Sequence, residues 1–288
     1  MSRHNPCFDK NRPVYNNSRW NFTKQSMMKL LSLIVTTLLF SLTMHAGDVS
    51  DMMVVGEELT YRVSYLNVTL GTVRTVVEPY TQLNGRKVAK VKIYIDSHPN
   101  IPFVSLHSIY ESWIDTTITY THKFNANTLV EDNKWEFDQY LFDYAGKKAT
   151  IEKWKNKEKV SSNVIDLPKR YNDGSSILFA ARALLYSGKS YKIPTVIMEK
   201  PVSTVVNFAG TKGTTEIDAC SYPINTVYLN GDANWTGVYG LTGRFEGWFA
   251  DDDSRIPVLA KMNVYVGSVT IELQKWKRGN WAPPQAKP

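Results

Sequence analysis

Cysteine is almost missing. The 288 residues hold two, Cys7 and Cys220, and they lie on opposite sides of the most apolar stretch of the chain. If that N-terminal part is removed, Cys220 stands alone, and a single thiol cannot close an intramolecular disulfide. Stability must then come from a packed core. Long hydrophobic runs are also missing. The uncharged run Leu30–Leu42 has 13 residues, short of the roughly 20 that span a bilayer. A surplus of one charge is missing too, once the leader is set aside. Of 34 Lys and Arg, six lie before Gly47, and of 27 Asp and Glu only Asp9 does, which leaves 28 basic and 26 acidic residues. A protein that binds nucleic acid keeps a basic surplus in its folded part, so nucleic acid is not an expected partner.

Recognisable catalytic spacing is lacking as well. No G-x-S-x-G elbow occurs. Ser187-Gly188-Lys189-Ser190 has a GKS tripeptide, but Ala183 stands where a phosphate loop needs glycine, and a helical pattern precedes it; a helix end is the better reading. His98, His107 and His122 form no ligand pair and no Cys joins them, so no metal or other cofactor is expected. Glu111, Asp115, Glu246 and Asp251 are read as surface or turn carboxylates. Cys220, in an apolar-polar alternation with no nearby His, is read as a small buried side chain. No residue is assigned a catalytic role.

What is present begins with Met27–Ala46. Lys29, the apolar run and the small residue Ala46 have the layout of a secretory signal peptide. Residues 1–26 are polar and without period, and are read as an extension from an upstream start codon. Residues 47–288 are read as a single domain, exported or periplasmic and soluble after cleavage near Ala46, with no transmembrane span. No Cys follows the run, so a thioether-lipid anchor is not expected.

Period-two patterning fills this domain. Leu59, Tyr61, Val63 and Tyr65 alternate with Thr60, Arg62 and Ser64; Ala89, Val91, Ile93 and Ile95 alternate with Lys90 and Lys92. Such alternation marks half-buried strands, and Asn84-Gly85 between two of them is a hairpin turn. Further strands are expected at 68–78, 105–115, 118–124, 134–144, 149–155, 191–198, 203–210, 213–220, 222–229, 241–250, 256–266 and 269–275. One helix is expected over 173–186, where Ile177, Ala181, Leu184 and Leu185 recur at helical spacing, with Asp173 or Ser175 at its start and Gly188 at its end. It should cover one opening or face of the sheet. The expected fold is all-β with one covering α-helix.

Four segments in order carry a family pattern: Gly56-Glu57-Glu58-Leu59-Thr60-Tyr61; Tyr110-Glu111-Ser112-Trp113-Ile114-Asp115; the helix from Asp173 to Tyr186 with Gly188-Lys189-Ser190-Tyr191; and Arg255-Ile256-Pro257-Val258 leading to Gly267-Ser268-Val269-Thr270. Over about residues 54–275 the chain resembles the bacterial domain-of-unknown-function family 3108, exported proteins of the cell envelope. The resemblance implies a large, mostly antiparallel, open meander β-barrel, similar to one seen in capsule-export accessory proteins. It implies no activity and no catalytic residues.

Aromatic residues occupy both faces of some strands. Tyr110 and Trp113 oppose each other on one strand. Trp135, Phe137, Gln139 and Leu141 oppose Tyr140, Phe142 and Tyr144 across another. A core on one side and a covering helix on the other explain this, as does a concave apolar lining with a few polar groups. The ligand-lining candidates are Tyr110, Trp113, Trp135, Phe137, Arg244 and Trp248. The expected role is a non-enzymatic envelope protein that binds a lipid acyl chain or an envelope glycan inside the barrel. The alternatives are an assembly scaffold that holds an envelope protein partner through its sheet edges, and a hydrolase with a grouped Asp/Glu/His site.

Overall fold

Alternating residues build fourteen strands among the described residues, and all of them join one antiparallel sheet. They are β1 (Glu58–Tyr65), β2 (Val68–Leu83), β3 (Arg86–Ser97), β4 (His107–Asp115), β5 (Thr121–Leu129), β6 (Trp135–Asp143), β7 (Lys148–Lys155), β8 (Glu158–Asp166), β9 (Ser190–Ile197), β10 (Lys200–Thr215), β11 (Ile224–Ala233), β12 (Gly243–Ala250), β13 (Pro257–Asn263) and β14 (Ser268–Lys277). A helix, α1 (Ser176–Leu184), separates β8 from β9. The computed structural model describes residues 52–101, 105–130, 134–235, 242–264 and 267–287, all within the unit Gly47–Pro288. The expected leader, signal and cleavage point lie outside the described residues.

The spatial order is β8-β7-β6-β5-β4-β3-β2-β1-β14-β13-β12-β11-β10-β9. Every neighbour is a hairpin partner except β1 and β14, which pair over eight residues. The edges of the sheet, β8 and β9, are therefore consecutive in the chain. A closed meander would pair them; here the excursion through α1 intervenes, and the barrel stays open.

The curl is visible in what α1 touches. Phe179 and Leu178 pack with Val77, Ala89, Val91 and Ile114 of β2, β3 and β4. Ala181 and Leu185 pack with Val206, Val227, Leu229 and Phe249 of β10, β11 and β12. Strands β3 and β11 stand six places apart in the sheet, so the sheet wraps around the helix. At the seam, Val196 of β9 packs with Tyr140, Phe142 and Ile151 of β6 and β7. Side chains close the curl where the ladder stops. Each apolar side chain buried this way contributes about 1.5–3 kcal/mol.

Polar groups fix α1 in place. Asp173 accepts hydrogen bonds from Ser175 N (2.7 Å), Ser176 N (2.9 Å), Ser112 Oγ (2.9 Å) and Thr121 Oγ1 (2.7 Å). It thus satisfies two free amides at the helix start and ties the helix to β4 and β5. Arg182, 1% exposed, donates to Glu57, to Met52 O and to Ser254 O. At the other end the helix stops at Leu184 with Leu185 as its cap, and Gly188, expected as the helix end, takes φ +65° in the connection to β9 instead.

Strand direction sorts the connections into two groups. Those at 84–85, 116–120, 144–147, 167–189, 216–223 and 251–256 lie at the helix end. Those at 66–67, 156–157 and 198–199, with the β5–β6 connection, lie at the opposite end.

Candidate functional site

Strand β10 does not run straight. Its register against β11 jumps from Asn207↔Asn230 to Thr211↔Tyr228, so Phe208, Ala209 and Gly210 oppose one residue, Leu229. Such a bulge bends a strand and re-aims its side chains. Gly210, at φ +68°, makes the turn of the backbone possible. Beside this bend, β11 presents Tyr228, Asn230 and Asp232 on one face. Val227 and Leu229 point to the other face and pack with α1. Strand β12 matches them across the ladder, with Trp248 opposite Tyr228, Glu246 opposite Asn230 and Arg244 opposite Asp232.

Tyr228, Asn230, Asp232, Arg244 and Glu246 line a cavity of about 590 Å³ with Val205, Asn207, Gly231, Phe245 and Asn263. It lies over β10–β13 on the face turned away from α1. Its floor is close-packed. A Cβ on Gly231 would sit 2.3 Å from Val205 O and 2.2 Å from Phe245 Cζ, so only glycine fits there.

The cavity's polar groups are ordered by one another. Ser190 Oγ donates to Asn207 Oδ1 (2.7 Å), and Asn207 Nδ2 donates to Asn230 Oδ1 (2.8 Å). Tyr228 OH donates to Glu246 Oε1 (2.7 Å). Burial raises the Tyr228 hydroxyl above its ordinary pKa, and Glu246 adds to the rise; the phenol is a neutral donor at physiological pH. The Tyr228 ring lies 5.4 Å from Trp248, tilted by 57°, and Lys261 sits over that indole. Amides, two carboxylates and a guanidinium beside an aromatic pair can hydrogen-bond a ligand rich in hydroxyls and pack its CH faces.

Of the six expected lining residues, the structure brings together Arg244, which lines the cavity, and Trp248, which flanks Tyr228. The other four are divided between β4 and β6. Tyr110 shares the α1-side face and meets Phe124 edge-on at 5.7 Å. Trp113 lies on the opposite face, between Lys90 and Lys123. Trp135 is 37% exposed and edge-on to His107. Phe137 stands between Asn127 and Trp154 across the ladders, on the face opposite Tyr140. These four do not share one lining with Arg244.

Asn207, Tyr228 and Asn230 are absent from the sequence expectation. The strand expected over 222–229 stops before Asn230-Gly231-Asp232, a composition that favours turns. The structure carries β11 through it to Ala233. Amide and carboxylate at every second position of a buried strand was the available signal.

A second polar cluster surrounds Asp115. It accepts from Thr117 N (3.0 Å), Thr117 Oγ1 (2.7 Å), Tyr120 OH (2.7 Å) and His122 Nε2 (3.2 Å). Burial works to raise its pKa, but these donors together outweigh it and hold the carboxyl at about 2. His122, on β5, is 8% exposed. Beyond Asp115 its ring meets the rings of Tyr120 and Tyr144, and no hydroxyl or thiol of the described residues is hydrogen-bonded to it. Glu111 bridges Lys90 and Lys92 with Glu78 on the face away from α1. No group of three or more His, Cys, Asp or Glu among the described residues is arranged to hold a metal.

No curated protein matches the chain. The crystal structure of a β-barrel-like protein of domain of unknown function DUF1849 from Brucella abortus is similar to it at 13% identity and a TM-score of 0.51, over 78% of this chain and 98% of that one. At that identity the likeness concerns the fold alone. A protein with a YmcC-like fold from Bacteroides fragilis is more distant, at 9% identity and a TM-score of 0.31 over 78% of this chain and 97% of that one. A family profile covers residues 60–274. The chain belongs to the family DUF3108, described as proteins of unknown function.

Proposed function

We propose that this protein is a non-enzymatic binding protein of the cell envelope that takes an envelope glycan in the cavity over β10–β13. The observation that carries the reading is the lining. Asn207, Asn230, Asp232, Arg244, Glu246 and Asn263 surround about 590 Å³ on a rigid sheet. That volume falls in the range of small-molecule pockets. An acyl chain would displace water from the remaining donors and acceptors of these groups and offer no hydrogen bond in return, at a cost of about 1–3 kcal/mol for each one left unsatisfied. A glycan, whose hydroxyls both donate and accept, would satisfy them. Residence in the envelope rests on Met27–Ala46, with the signal layout described above. Among the described residues no helix is long and apolar enough to cross a membrane.

Native mass spectrometry of protein recovered from the cell envelope tests this. A retained mass that yields sugars on hydrolysis, and is lost in an Arg244→Ala variant, is the expected result. A retained fatty acid, or protein that is always empty, would count against it.

The sheet edge supports a second reading, a scaffold that holds a protein partner. Strand β8 is exposed at every position but Ile165, and among the described residues no strand pairs with its outer side. An extended segment of a partner could add there as a further strand. In-cell cross-linking from a photoreactive residue at Ser162 would trap one dominant protein under this reading and none under the first.

A further inference from the structure

We infer that the ligand of the β10–β13 cavity is an extended, uncharged oligosaccharide whose chain continues out of the cavity across β13 and β14 to β1. This deepens the glycan reading and rests on it. The register of the sheet carries the inference. Asn207 of β10 stands opposite Asn230 of β11, Asn230 opposite Glu246 of β12, and Glu246 opposite Lys261 of β13. Lys261 stands opposite Thr270 of β14, and Thr270 opposite Ser64 of β1. Residues directly opposite in a ladder share a face. The six therefore form one line on the face turned away from α1, and every one of them is polar. Only Asn207, Asn230 and Glu246 line the cavity.

A solvent face alone does not account for such a line. On the same face, the row across β3–β7 is Tyr94, Ile109, Asn127, Phe137 and Trp154, mostly apolar. The line crosses six strands, about 24 Å at the usual strand spacing. A pyranose unit advances a chain by about one such spacing, so the cavity takes about two or three units and the whole line about five. Within the cavity the polar groups order one another, Asn207 with Asn230 and Glu246 with Tyr228. Beyond it, Thr270 and Ser64 are half-buried, and their hydroxyls have no hydrogen-bond partner among the described residues. Each can donate and accept, as a sugar hydroxyl can.

The flanks fit the same ligand. On the helix-end side the next row runs Trp248, Leu259, Glu272 and Arg62, which offers an apolar edge to the CH faces of a sugar. Arg62 donates to Asp218 of the 216–223 connection (2.6 Å) and to Glu272 (3.1 Å), so the line is bounded there. Charge along the path is balanced. Arg62, Lys192, Arg244 and Lys261 stand against Asp218, Asp232, Glu246 and Glu272. A chain bearing carboxylates or phosphates would gain nothing from such a path.

Calorimetric titration with a size series tests the inference. The probe is oligosaccharide released from the envelope by mild hydrolysis, separated from acidic material and divided into fractions from disaccharides to chains of about six units. The dissociation constant should fall at least about ten-fold from the disaccharide to the longest chains. Ser64→Ala/Thr270→Val, at two positions outside the cavity, should weaken the long chains about ten-fold. The same variant should bind the disaccharide as the wild type does, with its melting temperature held. Equal affinity at every length, or a double variant that holds long chains as tightly as wild type, overturns the inference and leaves the cavity as the glycan site. Tighter binding of the acidic material than of the neutral chains overturns it as well. If no fraction binds, the glycan reading itself fails, and this inference with it.

Discussion

Arg182 of α1 and Glu57, just ahead of β1, face each other as a two-pronged pair, Nη1 to Oε1 at 2.7 Å and Nη2 to Oε2 at 3.1 Å. Both are 1% exposed, and Arg278 reaches the same carboxylate from the end of β14. One acid thus holds the helix, the start of the sheet and its last strand together.

Glu57→Ala should accordingly be among the most damaging single changes. It leaves two guanidinium groups without their carboxylate, a loss of about 3–5 kcal/mol for a broken buried pair. Arg278→Ala, which leaves the Arg182 pair intact, should cost less. Chemical denaturation of the three proteins checks the ranking.

Asp115 gives the pH dependence a sign. Its carboxyl titrates at about 2 in the fold, below the ordinary value of about 3.9. The unfolded chain therefore binds the proton more readily. The contribution is complete above about pH 4 and is lost as pH falls toward 2. Asp115→Asn should flatten the acid limb of a stability profile between those limits and leave the neutral region parallel to wild type.

Gly231→Ala tests the packing under the cavity. The new methyl meets the backbone oxygen of Val205, which cannot swing aside as a side chain can. Destabilisation of about 1–3 kcal/mol is expected, with loss of glycan binding. Thermal melts and titration calorimetry measure the two effects separately.

The strain in the β1–β2 turn, where Leu66 takes φ +47°, has its own prediction. Leu66→Asn should stabilise the protein by about 1 kcal/mol, since a bulky residue in the left-handed region costs about that much. Differential scanning calorimetry reads the gain.

The patterns that exposed the fold were those with a single buried face. Leu59–Tyr65 and Val88–Asp96 alternate cleanly, and they are β1 and β3 within two residues at each end. Strand β8, Glu-Lys-Val-Ser-Ser-Asn-Val-Ile-Asp, is an exposed edge without an apolar face, so no alternation marks it. Segments 203–210 and 213–220 read as two strands because Gly210 and Gly213 interrupt them. In the structure β10 runs through a bulge to Thr215, and the chain then leaves the sheet. The helix was legible by its spacing, but its place within the curl was not, since position depends on contacts six strands apart. The site was the least legible part. Aromatic side chains drew attention to β4 and β6, whereas the cavity is made of amides and charges on β10–β12, aligned by a register that only the ladder sets.

The central claim is that the polar face over β10–β13 is where a ligand sits. Nuclear magnetic resonance of the labelled protein, titrated with oligosaccharides released from the envelope, tests it most directly. Shifts should concentrate at the side-chain amides of Asn207 and Asn230 and at the Trp248 indole, with the Tyr110–Phe124–Tyr140 face unchanged. Shifts centred on those three rings, or none at saturating sugar, would contradict the account.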